Sequence, residues 1–156
     1  MRFLRALLLL PLFLPSVSTL HAQEREVPYW ASLRSDEVNM RVGPSGDYPI
    51  DWVYHRQFLP VKVIRTREGW RLVQDWEGTQ GWMSASLLSP DRTALVIGEG
   101  LAAMRGSPDA QGALKWNAEP GVVGTLGKCE NGWCEFDVGG RKGWVLQERL
   151  WGAGEP

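Results

Sequence analysis

Residues 68–82 read EGWRLVQDWEGTQGW, with tryptophans at 70, 76 and 82. Two of the three follow a glycine. The apolar and β-favouring residues fall in runs of a few positions, too short for a packed helix. The steps Glu68-Gly69 and Glu77-Gly78 punctuate the runs as turns do. The stretch therefore predicts two antiparallel strands, "GWRLVQDW" and "GWMSASLL", joined by a tight turn.

The same spacing occurs a second time. Gly69-Trp70 matches Gly132-Trp133 at an offset of 63, and Gly81-Trp82 matches Gly143-Trp144 at 62. Met40-Arg41 matches Met104-Arg105 at 64, as Trp52 does Trp116, and Leu88 matches Leu150 at 62. Five anchors in one order identify an internal repeat whose offset drifts by single deletions. Two copies of one module follow, residues 30–90 and 91–154. In copy one the further strands are "VNMRV", "IDWVYH" and "LPVKVIRT", while "SASLL" and "LQERL" each suit a single helical turn. Five or six short strands in some 60 residues predict an all-β fold of two small, strongly bent β-barrels. The short linker in "LLSPDRTALVI" implies that the two are closely packed.

Upstream, MRFLRALLLLPLFLPSVSTLHAQ has two early arginines, a short apolar run and small residues ending at Ala22. This is the layout of a secretory signal peptide, residues 1–22. The run is too short and too proline-rich to cross a bilayer of about 30 Å as a helix. A periplasmic or secreted protein with no membrane span after cleavage is expected. Loss of Arg2 and Arg5 reduces the 17 basic residues to 15 against 18 acidic ones, a formal charge of −3. Nothing here offers a cationic surface for nucleic acid.

An oxidising destination bears on the two cysteines. In "CENGWC", Asn131-Gly132 favours a two-residue type I′ turn. Cys129 and Cys134 then oppose each other at a non-hydrogen-bonded pair, close enough for a disulfide. The alternative is a pair of free buried thiols.

The motif series "VNMRVGPSGDYPIDWVY", "EGWRLV" and "GTQGWMSASLL" resembles the bacterial SH3-like (SH3b) family. The likeness is close in copy one and weaker in copy two, which lacks an asparagine before Met104 and the Tyr48-Pro49 step. It implies two tandem SH3-like barrels used for binding, often at the cell wall, and no catalytic residues.

The residues agree that catalysis is not expected. His55 is the one histidine after Ala22, and it falls in a strand. Ser84 and Ser86 lack a nucleophile-elbow context. Asp36-Glu37 lie in a turn. No phosphate loop, cofactor fingerprint or metal-ligand spacing occurs. Trp70, Trp82, Trp133 and Trp144 recur, so they are expected to serve the barrel core, as are Trp52 and Trp116. Trp76 and Tyr48 have no counterpart in copy two. With Asp75, Asp47 and Arg41 they form the candidate ligand groove of copy one. The competing reading makes them turn aromatics that cover a barrel end or lie between the copies. Such a groove suits peptidoglycan or a cell-envelope peptide, through aromatic faces and paired charges. The alternative is a module that docks onto an envelope protein through exposed rings.

Overall fold

A computed structural model describes residues 25–156; the expected signal peptide lies outside the described residues. Copy one contains β1 (Tyr29–Leu33), β2 (Val38–Arg41), β3 (Ile50–Tyr54), β4 (Pro60–Arg67), β5 (Trp70–Gln74), β6 (Gln80–Ser84) and β7 (Leu88–Ser89). Copy two contains β8 (Thr93–Val96), β9 (Ala102–Arg105), β10 (Leu114–Ala118), β11 (Val123–Glu130), β12 (Trp133–Val138), β13 (Arg141–Leu146) and β14 (Leu150–Trp151). Each copy forms one seven-stranded antiparallel sheet. The orders, β3-β2-β6-β5-β4-β1-β7 and β10-β9-β13-β12-β11-β8-β14, are identical once the repeat is superposed. Single 3₁₀ turns at Ala85–Leu87 and Gln147–Arg149 stand where "SASLL" and "LQERL" predicted them.

The repeated Gly-Trp steps work differently from expectation. Met83 and Val73 point into the first core, so the two-residue period of a strand turns Gly81 inward and Trp82 outward. A β-carbon on Gly81 would overlap Met40, and one on Gly143 would stand 2.8 Å from Met104 Cβ. The glycine is thus the core residue of the pair. Trp70, Trp82, Trp133 and Trp144 are half-buried on the outer faces, which corrects their assignment to the core. The cores are filled by aliphatics, Met40, Met83 and Met104, and by Phe136 in copy two. Copy two also exchanges sizes across one strand pair. Gly124 and Phe136 replace Val61 and Val73 at matching positions, and a β-carbon on Gly124 would reach the Phe136 ring.

The hairpin at residues 129–134 forms as expected. Cys129 pairs with Cys134 and Glu130 with Trp133. Asn131 and Gly132 both take positive φ, and the disulfide is made with the Cα atoms 4.0 Å apart.

The copies pack on each other through β1 and β4 of copy one and β8 and β14 of copy two. Strands β1 and β8 are buried along almost their whole length. Ala31 and Leu33, like Ala94 and Val96, face their own cores. The alternate residues Trp30, Ser32, Thr93 and Leu95 lie between the copies. Leu95 of copy two joins the core cluster of copy one, with Ile97, Val123 and Trp151 packed against it. Trp30 Nε1 donates to Gly154 O at 3.0 Å, its ring meets Trp151 edge-on at 5.0 Å, and Thr93 Oγ1 donates to Phe58 O at 2.7 Å.

Candidate functional site

A cleft of about 510 Å³ opens at the junction of the two copies. Copy one supplies Trp52, Tyr54, His55 and Trp76; copy two supplies the 95–98 segment and the Pro120-Gly121 turn. Trp52 is paired with Met40 across β2 and β3, so it lies on the core-facing side of β3. Yet β3 is an edge strand that overhangs the core. Trp52 is 61% exposed, although the repeat predicted a core ring. Trp76 is 37% exposed on the turn between β5 and β6.

Copy two provides an internal control. Its Trp116, equivalent to Trp52, packs half-buried against the second core. The guanidinium of Arg141 lies 4.6 Å above its ring. The residue matching Arg141 in copy one is Thr79, too short to cover an indole. The copy-two turn also has no tryptophan to match Trp76. One barrel end is therefore closed, and the other presents the exposed indole of Trp52 with the partly exposed Trp76 on the same cleft.

The wall opposite these rings is held in place. Arg149 donates from Nε to Ile97 O at 2.9 Å and from Nη2 to Gly100 O at 2.9 Å. Four carbonyls of residues 97–101 accept from this one side chain. Gly98, with φ +84°, leaves room for it, since a β-carbon would come within 3.2 Å of Arg149 Nε.

The five residues singled out from sequence do not form one groove. Trp76 lines the cleft. Asp75 is only 4% exposed and presents no free carboxylate. Its Oδ2 accepts from Tyr54 Oη at 2.8 Å, and its Oδ1 accepts from the amides of Glu77 and Thr79. Burial, then this bond and the carboxylate's charge, push the Tyr54 phenol well above its ordinary pKa. Asp75 is the buried keystone of the turn that carries Trp76. Arg41, Asp47 and Tyr48 belong to the separate loop between β2 and β3. Arg41 Nη1 donates to Tyr48 O at 2.7 Å, Ser45 Oγ accepts from Asp47 N and donates to Asp47 Oδ2, and the Tyr48 ring, 47% exposed, lies over Gly43. Trp52 is the site residue that sequence reasoning placed elsewhere; the missing signal was its edge-strand position.

Among the described residues, no three or more His, Cys, Asp or Glu side chains gather as a metal site. Nor is any helix there long and apolar enough to cross a membrane.

Residues 34–90 and 98–152 each match the family described as bacterial SH3 domain. The chain belongs to that family. Its two copies are a tandem of bacterial SH3 domains, and such domains commonly bind cell-wall components. No curated protein matches the chain. Among solved structures, NlpC1 from Trichomonas vaginalis is similar at 13% identity, over 83% of this chain and 47% of that one, with a TM-score of 0.35. NlpC2 from the same organism is similar at 12% identity, over 82% and 49%, with a TM-score of 0.37. The chain spans about half the length of those two proteins.

Proposed function

We propose that this tandem of bacterial SH3 domains is a non-catalytic periplasmic or secreted binding protein that recognises peptidoglycan or a cell-envelope peptide in the cleft between its copies. The observation that carries the reading is the exposed indole of Trp52, with the partly exposed Trp76 on the same cleft, against a closed counterpart at Trp116. Indole faces cover sugar rings or aliphatic peptide segments with little entropy to lose, because they are already rigid. His55 and Arg56 at the rim add polar contacts. The non-catalytic part rests on the absence of a catalytic set around the cleft. His55 faces solvent, with Glu37 3.8 Å away, and among the described residues no Ser, Thr or Cys lines the cleft. The leader-like start of the sequence and the disulfide both fit an oxidising envelope compartment.

Co-sedimentation with purified peptidoglycan sacculi tests the reading. Trp52→Ala is expected to weaken binding about ten-fold or more, as loss of a central aromatic anchor does. Trp116→Ala should leave binding intact in the fraction that is folded. Equal binding by Trp52→Ala and the unaltered protein would remove the cleft from the account. If the unaltered protein stays in the supernatant, the wall ligand is wrong and the same two rings become the anchor for an envelope protein.

A further inference from the structure

The outer face of copy two carries a second depression, about 300 Å³, with its own chemistry. Cross-strand pairing aligns Glu135 of β12 with Trp144 of β13, and Trp144 with Arg105 of β9. Asp137 pairs with Lys142 one step along the same face. Lys115, from the bulge in β10, reaches over to donate from Nζ to Lys142 O at 2.8 Å. The depression exists because β11 has no side chain at Gly127. That glycine does not have a positive φ, so space is the reason for it. A β-carbon there would stand 2.8 Å from Glu135 Cβ.

Copy one carries different residues at these positions. Ile64 stands for Gly127, Leu72 for Glu135, Gln74 for Asp137, Gln80 for Lys142 and Asp51 for Lys115. Only the arginine and the tryptophan, Arg41 and Trp82, are retained. The charges other than the arginine's are thus not part of what the fold needs, because copy one folds without them; the arginine holds the matching loop in both copies, donating to Tyr48 O and to Gly112 O. Several of their bonding positions are also free. Arg105 spends Nη1 on Gly112 O at 2.8 Å. Lys142 has only a 3.8 Å approach to Asp137, which also caps Gly140 N at 2.7 Å. Glu135 is exposed and makes no hydrogen bond or salt bridge to another described residue.

We infer that this depression is a binding site for a short zwitterionic ligand, an amino acid or the end of a small peptide. Its carboxylate lies among Arg105, Lys115 and Lys142, its ammonium meets Glu135, and its aliphatic part rests on the part of Trp144 beside Lys128, whose Nζ lies 5.3 Å over that ring. The pattern of charge selects this class. Both signs line the depression: Arg105, Lys115 and Lys142 offer a position for an anion and Glu135 one for a cation, while Lys128 is already paired with Glu130 at 3.7 Å. The volume is at the small end of ligand clefts, which fits a short ligand.

The test is an NMR titration of the purified protein with Ala-Ala, read at the indole N–H of Trp144. Parallel titrations use the C-terminal amide of Ala-Ala, its N-acetyl form and inorganic phosphate. Ala-Ala is expected to shift Trp144 saturably, and the amide to bind about ten-fold or more weakly, since hydrogen bonds to charged groups are the strong ones. Lys142→Gln should weaken Ala-Ala to a similar degree. Glu135→Gln should weaken Ala-Ala but leave the N-acetyl form unchanged. No saturable shift with Ala-Ala, equal binding of phosphate, or an unaltered affinity in Lys142→Gln would each overturn the assignment. Trp52→Ala should leave this titration unchanged, so failure of the inter-copy cleft and failure of this site are read separately.

Discussion

At the scale of single residues, the Asp75–Tyr54 pair shows how a presumed ligand carboxylate is a structural one. Asp75 accepts from the Tyr54 phenol and from two amides of its own turn. Tyr54→Phe leaves one buried oxygen without its donor and should cost about 1–3 kcal/mol in urea unfolding. The pair also has a pH signature. The folded phenol holds its proton more tightly than the unfolded one, whose pKa is 10.0. The contribution is therefore full below pH 10 and is lost as pH rises above it. The stability gap between the unaltered protein and Tyr54→Phe should narrow above that value; a gap that stays constant from pH 9 to 11 would rule the linkage out. Sequence alone could not reveal this partnership, because the two residues are 21 positions apart and meet only when the barrel end forms. A second residue tells against local ideality. Glu68 takes φ +30° at the turn position where copy two has Asn131 at +52°. A left-handed backbone costs most L-residues about 1–2 kcal/mol, and asparagine tolerates it better. Glu68→Asn should accordingly raise the melting temperature, and a lowered one would mean that the glutamate has a compensating role.

Among the elements, the strands show which sequence rules worked and which failed. The type I′ hairpin of β11 and β12 was legible because Asn-Gly and the two cysteines constrain each other over six residues. The repeat was legible because its anchors keep their order. The inward or outward sense of the repeated rings was not legible from the repeat, since an anchor can recur for the sake of its neighbour: Gly81 and Gly143 are what the methionines of β2 and β9 require. Alternation against Met83 would have given the right answer. The disulfide is a local device. Copy one makes the same hairpin with Thr66 and Arg71 at the matching pair and no crosslink. A loop this short gains little from closure, so Cys129→Ser with Cys134→Ser should cost about 2 kcal/mol and leave the fold intact. The check is a denaturant melt of the double variant. A double variant that fails to fold would show that the bridge holds more than its own hairpin.

For the whole molecule, the two modules are better described as one cooperative unit. β1 and β8 are buried on both faces, the inner by their own core and the outer by the other copy. Leu95 is 3% exposed in the core cluster of its neighbour. Unfolding copy two would therefore strip part of copy one's core, and a domain of some 60 residues has little stability to spare. Calorimetry should show a single transition for the full chain. Leu95→Ala should lower its stability by about 2–5 kcal/mol, the usual range for a buried leucine. The cleft depends on the same contact, because residues 95–98 form its second wall. Ligand affinity at Trp52 and Trp76 should then fall in Leu95→Ala even below its melting temperature. The affinity of the copy-two depression should not, since none of its groups comes from copy one. Two separate transitions in the unaltered protein, or an unchanged cleft affinity in Leu95→Ala, would mean that the copies bind as independent domains.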